Sequence, residues 1–369
     1  MRSASSGHII CLRIERVTLA WQTAFEMHVN DFVGRLARQV ALTDNVVWVL
    51  IAVALALAVG SVARMTWLLL PNTSATVRRQ RLKSLATWWA LFVTLLLVAL
   101  AGQGAAIAIF AVLSVLGLLE FRALVQQRIA HLRLWWTLAC LSVPVHYLLI
   151  GFGCLDALPM FIPIWVLCIL LLRIVFAGRI SGFLETAGIT FLGLMVIVFL
   201  FSHAVLLFTL PAELNPAGGA FGLFLFLVLL TEFNDIAQSL WGRLLGHRKI
   251  APVISPNKTW EGFLLGAATT VAIGAVLANF LTPFSDRSLH SSSASWAMPT
   301  VPTLAAGLLI AVGGALGDMT MAAVKRQAGV KDSSALLPGQ GGVLDRINSL
   351  TFTGPLFFYF THLLYGRTY

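Results

Sequence analysis

Apolar runs of about twenty residues recur along the chain from position 46 onward, and a run of that length is what a helix needs to cross the hydrocarbon core. Such a chain buries its apolar surface in lipid as much as in itself. The sequence is 59% hydrophobic and only 11% charged, a balance that excludes an ordinary soluble domain. The expected fold is all-α, a polytopic integral membrane protein. About ten transmembrane helices are expected, over 46–70, 85–101, 105–121, 134–151, 157–176, 188–210, 220–241, 262–282, 302–324 and 350–365.

The cations sort by side. The loops 71–84, 120–133, 177–187, 242–261 and 325–349 hold sixteen Lys and Arg, and the opposite set holds two, Arg287 and Arg367. That asymmetry assigns the first set to the cytoplasm and, with ten spans, puts both chain ends outside. The formal charge is +10, from 25 Lys and Arg against 15 Asp and Glu. Because these cations lie between spans, the excess is expected to face anionic headgroups of the bilayer and not nucleic acid.

Three regions follow: an N-terminal segment 1–45, a transmembrane region 46–219, and a C-terminal transmembrane region 220–369 carrying the loops 242–261 and 325–349. Segment 1–45 lacks the apolar core of a signal peptide. Met27 offers a later start, and Phe32, Leu36 and Val40 have the spacing of a surface amphipathic helix. Residues 285–301 form a serine-rich outer loop, expected to be a linker. Cys11, Cys140, Cys154 and Cys168 show no metal-ligand spacing. Cys140 and Cys168, inside apolar runs, are expected to be inert packing residues. No internal repeat is visible.

Acids are scarce, so each one near a span is informative. Glu232 and Asp235 are three apart at the inner end of the seventh expected span, on one helical face, with Asn234 and Gln238 nearby. Asp318 lies near the inner end of the ninth span, and Asp332 and Asp345 follow in the next loop. The plain alternative is that these acids pair with neighbouring cations at a wet interface. Carboxylates beside lipid are costly, however, and their convergence on one side points to a site. Hard oxygen ligands from two aspartates suit Mg²⁺ and phosphate chemistry. Lys325, Arg326, Lys331 and Arg346 could hold phosphates, and the turn Pro338-Gly339-Gln340-Gly341-Gly342 lets backbone N–H groups approach an anion. In the second loop, Ser255, Lys258 and Thr259 precede the eighth span, where a helix N-terminus favours an anion. There the alternative is that Thr259 is an N-cap and Lys258 a topology charge.

Together these segments resemble the phosphatidate cytidylyltransferase (CDP-diacylglycerol synthase) family. The family pattern Gly-Asp, Lys-Arg, Lys-Asp, Pro-Gly-His-Gly-Gly, Asp-Arg-x-Asp is matched by Gly317-Asp318, Lys325-Arg326, Lys331-Asp332, Pro338-Gly339-Gln340-Gly341-Gly342 and Asp345-Arg346-Ile347-Asn348. The companion motif Ser-Pro-x-Lys-Thr-x-Glu-Gly is matched from Ser255 to Gly262, and Asn234-Asp235 also fits. The match covers roughly residues 220–355. It implies transfer of CMP from CTP to phosphatidate or a related lipid phosphate, with release of pyrophosphate. It implies Mg²⁺, and room for a second cation, held by Asp318 and Asp345 with Asn348 at the third position. Ser255, Lys258 and Thr259 would meet CTP. Arg326, Lys331, Arg346, Gly341 and Gly342 would meet phosphates, and Asp235, Lys325 and Asp332 would serve catalysis. A homodimer and a bacterial inner membrane with a cytoplasmic site are compatible with the resemblance. Arg173 could meet the lipid headgroup, or simply snorkel.

Three positions depart from the pattern. Gln340 replaces a histidine, so it can hydrogen-bond but not carry a proton. Asn348 replaces the closing aspartate, removing a negative charge near the metal. Met321 stands where the family often has Glu. The resemblance is thus to a divergent paralogue. Competing readings are a catalytically inactive relative, a CTP-dependent lipid kinase, and a cation-coupled transporter using Glu232, Asp235 and Asp318.

Overall fold

The computed structural model describes residues 42–68, 75–125, 132–178, 181–284, 300–334, 336 and 341–365. The expected amphipathic stretch around Phe32, most of the outer linker 285–301, and Pro338, Gly339 and Gln340 lie outside the described residues. The protein is an all-α polytopic membrane protein, as its composition requires. Its helices, in chain order, are α1 (Asp44–Leu68), α2 (Ala75–Val125), α3 (Leu132–Gly151), α4 (Leu155–Phe176), α5 (Phe183–Thr209) and α6 (Gly219–Leu244). There follow α7 (Trp260–Leu281), α8 (Val301–Gln327), the short α9 (Leu344–Ile347) and α10 (Leu350–Tyr365).

Eight stretches among the described residues are long and apolar enough to cross a membrane. The difference from the expected ten has two sources. The spans expected at 85–101 and 105–121 share one 44-residue stretch, Leu82–Val125. The last expected span is α10, of 16 residues. A straight 51-residue α2 would be about 77 Å long, more than twice a hydrocarbon core of ~30 Å. Gly102 breaks it, with φ 68° and ψ −151°, a conformation that a side chain would resist. The break falls where the sequence placed the short outer loop 102–104.

The N-terminal helices carry a buried polar net. Met195–Leu200 of α5 is a π-helical segment, whose wider turn leaves carbonyls open to other donors. Ser114 of α2 donates to the Ile197 carbonyl at 2.8 Å and lies 2.9 Å from the Tyr147 hydroxyl of α3. Ser202 donates to the Phe199 carbonyl, and His146 of α3 meets Ser202 at 2.8 Å. These bonds join α2, α3 and α5 within the bundle.

The C-terminal helices pack by small residues. Gly266 of α7 lies so close to α6 that a Cβ there would come within 2.8 Å of the Gln238 Cα. A Cβ on Gly317 of α8 would come within 2.2 Å of the Asn348 carbonyl oxygen. Close backbone approach replaces the hydrophobic effect as the glue between helices in lipid. Outward faces are apolar and exposed, as at Leu55, Val59 and Leu264. Cys140 and Cys168 are exposed on these faces, which corrects the expectation that they pack inside. Lipid-facing and core-facing positions are equally apolar, so the run around a cysteine does not say which way it points.

One element breaks the all-helical pattern. Between α6 and α7 the chain forms a two-stranded antiparallel hairpin, β1 (Lys249–Ala251) and β2 (Ser255–Thr259), with Lys249 opposite Thr259 and Ala251 opposite Ser255. Glu261 in the first turn of α7 accepts the His247 N–H at 3.0 Å and the Arg248 N–H at 3.1 Å, which fixes the entry to the hairpin.

Candidate active site

The C-terminal ends of α2, α6 and α8 and the N-terminal ends of α7 and α10 gather their polar residues in one place. β2 runs straight into α7, so Lys258 stands one residue before the helix cap. Thr259 is that cap: it is buried, and its hydroxyl accepts the Gly262 N–H at 3.2 Å. The hairpin thereby aims Lys258 inward, where its ammonium lies 2.7 Å from Asp318 Oδ2 and 3.2 Å from Gln238 Oε1. Gln238 is buried and donates to Asn234 Oδ1 at 2.9 Å, so the ammonium is held from both sides.

Asp318 takes a second donor on its other oxygen. Asn348 Nδ2 donates to Asp318 Oδ1 at 2.9 Å, while Asn348 Oδ1 accepts the Ser349 N–H at 2.8 Å. The Ser349 hydroxyl donates to Asp235 Oδ2 at 2.6 Å. Asp235 Oδ1 and Asn234 Nδ2 are buried with no hydrogen-bond partner. Asp235, Lys258, Asp318 and Asn348 are therefore brought together, joined by Gln238 and Ser349.

A second cluster stands beside the first. Lys325 follows Asp318 by seven residues, which places it on the same face of α8 about 10 Å further along. Its ammonium lies 2.5 Å from Asp345 Oδ1. Asp345 Oδ2 accepts the Gly342 N–H at 2.9 Å and the Ser333 N–H at 3.0 Å, with the Ser333 hydroxyl also 3.0 Å away. Burial pushes the Asp345 carboxyl up. The Gly342 N–H, the Lys325 ammonium and the Ser333 N–H outweigh that and hold it below the usual carboxylate range. Gly341 has φ +85°, and a Cβ there would come within 2.5 Å of Asp345 Oδ2. Asp345 and Asn348 are three apart on one face, so Lys325 and Asp318 of α8 are met in register, one by each.

The remaining expected residues are distributed around these clusters. Arg326 is exposed and spans the two loops, donating to the Ile254 carbonyl of the hairpin at 3.2 Å and to the Val330 carbonyl at 3.4 Å. Ser255 is half-buried on β2. Arg346 is half-buried, its Nε is without a partner, and it interacts electrostatically with Glu232. Lys331 and Asp332 are exposed on the following loop, and Arg173 is exposed in the last turn of α4. Met321 is buried. Among the described residues no three His, Cys, Asp or Glu are grouped closely enough to hold a metal ion unaided.

The chain matches the model of the cytidylyltransferase family over residues 82–364. It belongs to that family. This cytidylyltransferase-family chain is 42% identical over 274 residues to the uncharacterised protein YnbB of Escherichia coli (strain K12), a match that covers 74% of this chain and 85% of YnbB. It is 40% identical over 146 residues to the phosphatidate cytidylyltransferase of Brucella suis, covering 40% of this chain and 48% of that one. It is 39% identical over 148 residues to the phosphatidate cytidylyltransferase of Haemophilus influenzae, covering 40% and 47%. The matches to these two enzymes span about half their length.

Glu120 was not singled out from the sequence. It lies near the C-terminal end of α2, buried at 7% exposure, against the loop that carries Asp345. Its signal was available: it is an acid directly following Leu118 and Leu119 and preceding Phe121, at the edge of an apolar run. Gln238 and Ser349 were also outside the expected set, because uncharged side chains beside a span carry little signal of their own.

Proposed function

We propose that this protein transfers CMP from CTP to a lipid phosphate, phosphatidate or a close analogue, at the cytoplasmic face of a bacterial inner membrane. The observation that carries this reading is Lys258, held between Gln238 and Asp318. It joins the nucleotide-side motif to the acidic motif at the membrane edge. Membership of the cytidylyltransferase family supports CTP as the nucleotide, and the membrane-spanning helices put a lipid acceptor within reach. In the reaction an ionised oxygen of the lipid phosphate bonds to the α-phosphorus of CTP. The bond from that phosphorus to pyrophosphate breaks, and the electron pair leaves with pyrophosphate. An ionised acceptor needs no base, so positioning and charge stabilisation supply the rate. Lys258 and Lys325 would turn from their aspartates to phosphate oxygens, and Arg326 would close the nucleotide side.

The residues fit Mg²⁺. The donors at Asp318 and Asp235 are hard carboxylate oxygens, and Asp235 Oδ1 is buried with no partner; Asn348 would add its Oδ1 by releasing the Ser349 N–H. Mg²⁺ is commonly held by one or two carboxylates plus substrate phosphates, so a closed protein cage is not required. Asp345 would join that set by releasing Lys325, which occupies its Oδ1. When bound, the ion would neutralise charge on the nucleotide phosphates.

The test uses the purified full chain in detergent with phosphatidate, Mg²⁺ and CTP labelled at the α- or the γ-phosphate. Label from the α position in the lipid phase upholds the proposal. Label from the γ position alone replaces it with a lipid kinase, and no label from either position, with unaltered CTP binding in Asp318→Ala, removes the enzyme reading.

A further inference from the structure

We infer that Glu120, contributed by the N-terminal helices that carry no motif, is a positioning residue that sets Asp345 and Lys325 for the proposed transfer. Each oxygen of its carboxylate accepts two hydrogen bonds. Oε1 takes the Ser334 hydroxyl at 2.6 Å and the Val343 N–H at 2.9 Å. Oε2 takes the Ser333 hydroxyl and the Leu344 N–H, both at 2.9 Å. All four donors are uncharged, and they come from two stretches of loop on either side of the glycine turn. One buried carboxylate thus pins both stretches to α2.

The bonds have a direct line to the lysine. Val343 and Leu344 supply N–H groups at the start of α9, which a helix leaves without internal partners, and Asp345 is the next residue. The Ser333 hydroxyl lies 2.9 Å from Glu120 Oε2 and 3.0 Å from Asp345 Oδ2, and its single proton is shared between the two carboxylates. Gly342 is wedged between them: a Cβ there would fall 2.0 Å from Ser333 Oγ and 2.3 Å from Glu120 Oε2. Asp345 in turn holds Lys325. Fixing the peptide at 342–344 therefore fixes Asp345, and through it the ammonium that would meet the nucleotide phosphates. A carboxylate is needed because all four donors point at it. Glutamine at the same place would turn its own N–H₂ toward two of them and leave buried donors unpaired.

This inference rests on the proposed transfer, and its test separates the two. Wild type and the Glu120→Gln, Glu120→Asp and Ser334→Ala variants of the full chain are compared in nanodiscs by CMP transfer, thermal unfolding and amide hydrogen exchange. Glu120→Gln is expected to lower kcat by about 10²-fold, the scale of a 1 Å misplacement, with KM for CTP within about threefold. Exchange at the Val343 and Leu344 amides should quicken while the helical amides of α6 and α8 keep their protection. Glu120→Asp should recover part of kcat, and Ser334→Ala should lower it least and add nothing to Glu120→Gln in the double variant. A folded Glu120→Gln with near wild-type kcat overturns the inference. Should Glu120→Gln not fold, Ser334→Ala and Glu120→Asp carry the same comparison. If wild type transfers no CMP, the proposed function falls. Quickened exchange at Val343 and Leu344 would then still uphold the positioning of Asp345, and unchanged exchange would overturn it.

Discussion

Asn348 donates an amide proton to Asp318, where an aspartate would present a second negative charge. The substitution keeps the contact and lowers the charge of the cluster. Restoring the carboxylate with Asn348→Asp should favour a divalent cation, and the Mg²⁺ concentration for half-maximal transfer should fall about tenfold; an unchanged Mg²⁺ titration would refute this. Lys258→Met keeps much of the apolar stem and removes the ammonium. It should reduce kcat by about 10²–10³-fold, as loss of one well-placed donor to a developing charge does. Measured alongside, Lys249→Met, on an exposed position of β1, should stay near wild type. The residue types of the site were legible in the sequence, and their pairings were not. Lys258 and Asp318 are 60 positions apart, and no local pattern says that one meets the other. Glu120 is a lone acid at the edge of its apolar run, and the groups that it meets, Ser333, Ser334, Val343 and Leu344, lie more than 200 positions away.

At the scale of elements, lipid made the helices legible. A long apolar run has one stable solution, and even the break at Gly102 coincides with the short Gly-Gln-Gly interval of the sequence. The β1–β2 hairpin was not legible: strands of three and five residues, with Pro256 in the second and Pro252 in the turn, carry no alternating pattern. The π-helical segment of α5 was equally hidden, because its apolar residues Met195–Leu200 read as ordinary helix. The α6–α7 contact gives a sharp test. Gly266→Leu would drive a side chain into Gln238 and its backbone, and overpacking of that kind costs about 1–3 kcal/mol. We expect a lower unfolding temperature in detergent and weaker transfer, since Gln238 also holds Lys258. Gly104→Ala, where a Cβ meets nothing within 4 Å, is the control and should match wild type in both measurements.

Across the whole molecule, the charge asymmetry of the loops predicts which face the nucleotide meets. Cys154 is exposed between α3 and α4, in the loop 152–156, which holds no Lys or Arg and falls on the side opposite the cation-rich loops. In intact cells expressing a Cys11→Ser variant, a membrane-impermeant maleimide should label Cys154. A cysteine placed at Lys249 in a background lacking the native cysteines should be labelled only after the cells are opened; the reverse pattern would invert the topology. The two lysine–aspartate contacts have a further consequence for how ligands arrive. On the proposed function, the resting pocket is its own electrolyte: Asp318 and Asp345 are each already neutralised by a tethered ammonium. A bare metal ion must displace a lysine that has nowhere to go, and a bare nucleotide must pull lysines away from aspartates left uncompensated. Arriving as one complex, cation and triphosphate exchange partners with both at once. Their affinities should therefore be linked, each raising the other's, so that neither ligand alone titrates the site well.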